Sequence, residues 1–188
     1  MKENIDIRVQ KTYNMLMAAF TKLIVEKKYE DITINELCSA AGIRRATFYQ
    51  HFNDKLAFFV FLIKQLYKKE KDSSTYLYTS TDNQTFYINL CRYMLELLEK
   101  NEKLINGIIK NNMFSLTSDI IIKEIVNDVE LKLKDDNSSN YNHEMFVCFI
   151  SGGVAKLSKW WFLNKETVKK EEVISEITRL INNLELIK

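Results

Sequence analysis

The sequence predicts an all-α protein, and three observations lead there. It contains no proline and only four glycines in 188 residues, so few positions interrupt a helix. Apolar residues recur at steps of three and four through most of the chain, the repeat of one helix face. No stretch alternates in the way a half-buried strand does. Hydrophobic residues make up 46% of the chain and charged residues 28%, enough apolar material to bury a core.

The first helix is set by Val9, Tyr13, Leu16, Phe20 and Leu23 and ends near Lys27. In "DITINEL", Thr33 and Glu36 have the spacing of a capping box, in which each side chain satisfies a backbone N–H left open at a helix start. A short second helix then buries Leu37 and Ala41. Gly42 follows it, where a left-handed residue commonly ends a helix, and Ile43 turns back toward the core. The third helix runs from about Arg44 to His51. Phe48 and Phe52 point inward, Ala46 lies close to the second helix, and Arg44, Arg45, Thr47, Tyr49 and Gln50 are left outside.

From Lys55 the fourth helix reads "KLAFFVFLIKQLY", apolar on nearly every side and therefore expected to be covered on every side. The polar segment "KDSSTYLYTSTDNQ" reads as a loop. Phe86, Leu90, Tyr93, Met94, Leu97 and Leu98 mark a fifth helix, Leu104 to Ile109 a short sixth, and Ser118 to Lys134 a seventh. The run "DDNSSNYN" is a linker. Two last helices cover about His143 to Leu163 and Lys170 to Ile187. The expected organisation is about nine helices, with residues 1–54 as an N-terminal module and 55–188 as a larger helical body.

The formal net charge of +2 gives no global electrostatic bias, so any nucleic-acid binding has to rest on a local patch. Cys38, Cys91 and Cys148 are far apart and sit in apolar helical patterns, which reads as buried reduced thiols in a cytoplasmic protein. The N-terminal residues lack the apolar block of a signal peptide. The longest apolar run, Met145 to Ala155, falls short of the ~18 residues a membrane span needs. No membrane partner is expected.

Two short helices joined by a glycine turn, behind a supporting helix, form a helix-turn-helix unit. Its second helix fits the major groove, where arginine reaches guanine O6 and N7 and glutamine pairs with adenine. Arg44, Arg45 and Gln50 are the candidates for base edges. Thr47, Tyr49, His51 and Lys55 suit phosphates. The start of the second helix, with Thr33 as cap and Asn35 beside it, offers free N–H groups to another phosphate. A merely solvated polar face is the alternative.

The segment "ITINELCSAAGIRRATFYQHFNDKLAFF" resembles the N-terminal DNA-binding region of the TetR family of bacterial transcriptional regulators. Gly42 matches the family's turn, and Thr47, Phe48, Tyr49, His51, Phe52 and Lys55 match its motif in order and spacing. The family usually opens its recognition helix with a small capping residue where this chain has Arg44. The firm resemblance covers about Val9 to Ile63. "FISGGVAKLSKWWFLN" is similar to C-terminal regions of TetR-like regulators in Firmicutes. The resemblance implies a homodimer bound to double-stranded DNA at a pseudo-palindromic operator, with affinity altered by a small ligand in the C-terminal bundle.

Two copies of such a module are spaced about one helical turn of DNA apart, roughly 34 Å. The expected dimer surface is the last two helices, with Gly152, Gly153, Trp161, Ile177, Leu180 and Leu184; the alternative is that these helices are internal core. Tyr67, Tyr87, Cys91, Met94, Phe114 and Phe146, with Phe86, Tyr93 and Met113 beside them, line an apolar or amphipathic ligand cavity or else are simply core. An enzyme is not expected. His51 and His143 are the only histidines, and there is no metal-binding, nucleophile-elbow or glycine-rich phosphate motif, hence no metal and no cofactor. The expected regulator is a repressor released from DNA by its ligand. The same residues would also suit an activator, or a protein-binding co-regulator that has lost ligand-induced release.

Overall fold

The computed structural model describes residues 7–74, 83–133 and 143–183, and every element among them is helical. The helices are α1 (Ile7–Glu26), α2 (Ile34–Ala41), α3 (Arg45–His51), α4 (Lys55–Ser73), α5 (Asn83–Lys100), α6 (Glu102–Lys110), α7 (Phe114–Leu133), α8 (His143–Asn164) and α9 (Lys170–Asn183). The sequence periodicity therefore predicts the element order, and α7 begins one turn earlier than its apolar steps suggest. The linker "DDNSSNYN", Tyr76 to Tyr78, and Leu184 and Ile187 lie outside the described residues.

The chain divides into two compact units. The first comprises residues 1–63 together with 102–117, so α6 joins α1, α2 and α3 although it is distant from them in sequence. Its core is built from Leu16, Phe20 and Ile24 of α1, Leu37 of α2, Phe48 of α3, and Phe58 and Phe59 of α4, all fully buried. The phenylalanines meet at tilted and edge-on angles, Phe52 and Phe58 at 5.2 Å and Phe20 and Phe58 at 5.7 Å. That geometry places ring edges against ring faces. Each such ring taken out of water contributes about 2 kcal/mol, so this aromatic cluster holds the short α3 in place.

The close fit of α6 on α1 depends on Gly107. A Cβ there would sit 2.8 Å from Ile24 Cγ2 and 2.9 Å from the Ile24 carbonyl oxygen. The corner after α6 turns through Asn112, at φ 56°. The Met113 N–H donates to the Ile108 carbonyl at 2.9 Å and the Asn112 N–H to that of Ile109 at 3.0 Å, the double bond pattern of a left-handed helix end.

In the second unit, residues 64–101 and 118–188, α5 packs against both α8 and α9. Phe86, Leu90, Tyr93, Met94, Leu97 and Leu98 are all buried, as their spacing predicts. Asp128 accepts a hydrogen bond from the Tyr67 hydroxyl at 2.7 Å and pairs with Lys71 at 2.6 Å. Within the described residues no helix is long and apolar enough to cross a membrane.

Three packing expectations need correction. Leu56 is exposed, because the first turn of α4 projects past the core that Phe58 and Phe59 fill. Ala46 is exposed as well, on the side of α3 that carries Tyr49 and Gln50. Cys148 is exposed on α8, whereas Cys38 and Cys91 are buried free thiols.

Candidate nucleic-acid interface

The turn between α2 and α3 is built from its glycine. Gly42 sits at φ 66°, ψ 31°, its N–H donates to Ser39 O at 3.1 Å, and the Ile43 N–H donates to Cys38 O at 3.0 Å. An alanine Cβ would meet only the Met15 Cε, at 3.6 Å, so its penalty is in the backbone. Gly42→Ala should cost about 1–2 kcal/mol, the left-handed penalty for a residue bearing Cβ. Urea melts check this, and an unchanged midpoint would show that the turn relaxes freely.

Thr33 caps α2 as predicted, its hydroxyl accepting from the Glu36 N–H at 3.2 Å. The capping box is only half formed. Glu36 turns its carboxylate to Lys27, 2.5 Å away, instead of to the helix start. Asp54 caps α4, accepting from the Ala57 N–H at 2.7 Å, a signal that "NDK" carries and the motif reading missed.

On α3, Phe48 is buried and Arg45, Tyr49 and Gln50 are exposed, with Thr47 half-buried, and Arg44 is exposed just before the helix. Arg44 is the extended residue that precedes the helix, and its side chain makes no capping bond. One turn apart, Arg45 and Tyr49 form a pair. The guanidinium lies 5.6 Å from the ring centroid and donates to the phenol oxygen at 3.4 Å, which stiffens both side chains while leaving them in solvent. Asn35 is exposed on the first turn of α2.

Two of the candidate phosphate ligands are engaged inside the unit. His51 is half-buried, with Nδ1 3.3 Å from the Tyr13 hydroxyl and its ring edge-on to Tyr13. Lys55 is the clearer correction. Its ammonium donates to the carbonyls of Tyr29, of Glu30 at 3.2 Å and of Ile32 at 2.7 Å, and it lies 4.3 Å from the centroid of the Tyr29 ring. An ammonium has three protons, and these three carbonyls take them all. Burial pulls Lys55 below the usual lysine range, opposed by the carboxylates of Glu30 and Asp31. Here Lys55 fastens the loop between α1 and α2 to the start of α4.

Of the candidate cavity residues, Tyr67, Tyr87, Cys91 and Met94 are buried in the second unit. Burial pushes both the Cys91 thiol and the Tyr87 phenol up to about 12. Phe114 is buried in the first unit, and the side chain of Phe146 lies outside the described residues. Trp161 does not belong on an outer surface. It is 2% exposed, and its indole N–H donates to the Val168 carbonyl at 3.1 Å, which ties it to the α8–α9 connection. Its neighbour Trp160 is 48% exposed.

Trp160 belongs to a stripe on α8 with Met145, Phe149 and Leu163, all exposed, and Leu180 is exposed on α9. Gly152 and Gly153 lie along the same stretch, and a Cβ at either would meet nothing within 4 Å. Ile177 is half-buried.

The fold and this surface define a class: all-helical proteins that display a short exposed helix from an N-terminal helix-turn-helix. Residues 16–60, the helix-turn-helix and the helices on either side of it, match the family described as "Bacterial regulatory proteins, tetR family". A 55-residue segment is 42% identical to the HTH-type transcriptional regulator YxbF of Bacillus subtilis, covering 29% of this chain and 14% of that protein. A 76-residue segment is 28% identical to the B. subtilis HTH-type regulator YwcC, covering 40% and 34% of the two chains. The alignments thus span well under half the length of these curated relatives.

Over nearly the whole chain the fold is similar to that of a TetR-family transcriptional regulator of Syntrophomonas wolfei. The TM-score is 0.69 at 19% identity, covering 93% of this chain and 95% of the other. The family consists of regulatory proteins, not enzymes.

Proposed function

We propose that the protein is a dimeric, sequence-specific DNA-binding transcriptional regulator, a repressor that leaves its operator when a small apolar or amphipathic ligand binds the helical body. The observation that carries this reading is the outward face of α3, where Arg45, Tyr49 and Gln50 stand exposed on a helix anchored from behind by Phe48, with Arg44 exposed at its entrance. Arginine and glutamine are the side chains that read guanine and adenine in the major groove. On this reading Tyr49, Thr47 and the start of α2 at Thr33 and Asn35 take phosphates. His51 and Lys55 brace the module instead.

The pairing surface of this reading is the α8 stripe with Leu180. Large apolar side chains left uncovered along one helix face mark an interaction surface. Two mid-helix glycines with open space beyond them suit the close passage of a second backbone. Ligand binding would then shift the population toward a spacing of the two α3 helices that no longer matches successive major grooves.

The test is operator binding by Arg45→Ala, measured by fluorescence anisotropy on the intergenic DNA beside the gene and on a random duplex. Losing one base-reading arginine should cost about 1–3 kcal/mol on the cognate site. The random duplex should lose only the smaller share due to charge. Equal loss on both would remove Arg45 from base reading, and no binding by the unaltered protein would overturn the regulator reading itself.

A further inference from the structure

We propose that Asn111, at the corner between α6 and α7 and far from the helix-turn-helix in sequence, is a positioning residue for DNA recognition. Both ends of its carboxamide are engaged. The oxygen accepts the Tyr29 N–H at 2.7 Å, and the nitrogen donates to the carbonyls of Ile24 at 3.2 Å and Gly107 at 2.9 Å. One side chain therefore joins the last turns of α1, the loop after it, and α6.

That loop is what sets the helix-turn-helix. Tyr29 is gripped at both ends of its backbone, its N–H by Asn111 and its carbonyl by Lys55. The Tyr29 carbonyl also accepts the Ile32 N–H at 3.2 Å. Ile32 is buried, its carbonyl takes a second Lys55 proton, and Thr33 immediately follows as the cap of α2. The ring of Tyr29 packs on Phe20 at 6.3 Å and on Phe59 at 5.8 Å. The entry point of α2, and with it the α3 that packs on α2, is thus fixed by a clamp with Asn111 on one side and Lys55 on the other. Neither residue needs to touch DNA to govern how α3 is presented.

This inference rests on the DNA-binding reading, and the experiment separates the two. Operator affinity is measured for the full-length protein and for Asn111→Ala, Lys55→Met and the double variant. Far-UV circular dichroism confirms that each is folded, and hydrogen exchange is followed over residues 27–33. Asn111→Ala should weaken operator binding by about tenfold, the scale on which one or two half-buried hydrogen bonds move an equilibrium, and should speed exchange at the Tyr29 amide.

Because both side chains hold the same residue, the double variant should bind nearly as well as the weaker single one. A general loss of stability would instead leave the affinity of the folded fraction unchanged. If Asn111→Ala does not fold, Asn111→Ser carries the same test, since serine is too short to reach Tyr29. Binding by Asn111→Ala equal to that of the unaltered protein, or additive losses in the double variant, would overturn the clamp and leave the DNA reading standing. Failure of the unaltered protein to bind any duplex would overturn both.

Discussion

Gly107→Ala should lower the stability of the protein by about 2 kcal/mol, although alanine is the better helix former. Glycine in a helix interior is about 1 kcal/mol worse than alanine, so propensity alone forecasts a gain. Packing reverses the sign. The new methyl carbon would lie 2.8 Å from Ile24 Cγ2, 2.9 Å from Ile24 O and 3.1 Å from Ile24 C. Two of those three atoms are backbone and cannot rotate aside, so α6 must lift from α1. Overpacking of this kind costs roughly 1–3 kcal/mol, and the neighbouring Asn111 bond to the Ile24 carbonyl stretches with it. Urea unfolding should show a lower midpoint with an unchanged slope. A midpoint at or above that of the unaltered protein would mean that α6 does not need its present seat on α1.

The second large effect is expected at the opposite extreme of burial. Phe149 is 74% exposed, so Phe149→Asp should leave each subunit folded, with unaltered far-UV dichroism and little change in its own stability. If the α8 stripe is a self-complementary surface, every substitution appears twice in the pair. Two carboxylates would then be desolvated without partners, at several kcal/mol each, and two buried phenyl groups would be lost. The dissociation constant should rise by at least about a hundredfold, since each 1.4 kcal/mol is a factor of ten. Light scattering at micromolar concentration should give a monomer for Phe149→Asp and a dimer for the unaltered chain. An unchanged mass would assign the stripe to something other than self-association.

Much of this was legible in the sequence because it is local. The order of the helices follows from apolar spacing, and the cap at Thr33 and the turn at Gly42 follow from residues with narrow conformational roles. The outward residues of α3 could be read because Phe48 and Phe52 fix its inner face, and helical geometry then assigns the rest.

The features that escaped depend on distant parts of the chain. Lys55 looked like a free cation because nothing near it announces three carbonyls from the loop between α1 and α2. Glu36 had two available partners, and Lys27, nine positions earlier, prevails over the helix start. Trp160 and Trp161 are adjacent and equally apolar, and the register of α8 turns Trp161 inward with Ile150, Val154 and Ser158, where its N–H meets the Val168 carbonyl. That α6 packs with the N-terminal helices shows most plainly at one glycine and one asparagine, residues whose identity gives no hint of where they dock.

The exposure of Cys148, with Cys38 and Cys91 both buried, offers a chemical handle that requires no prior removal of thiols. A nitroxide or fluorophore coupled to the native chain under gentle conditions would attach at this one place, three residues along α8 from Met145 and next to Phe149. Probe-to-probe separations between associated copies would then map the mouth of their seam directly, and any rearrangement on adding DNA or a small molecule would register in the same signal.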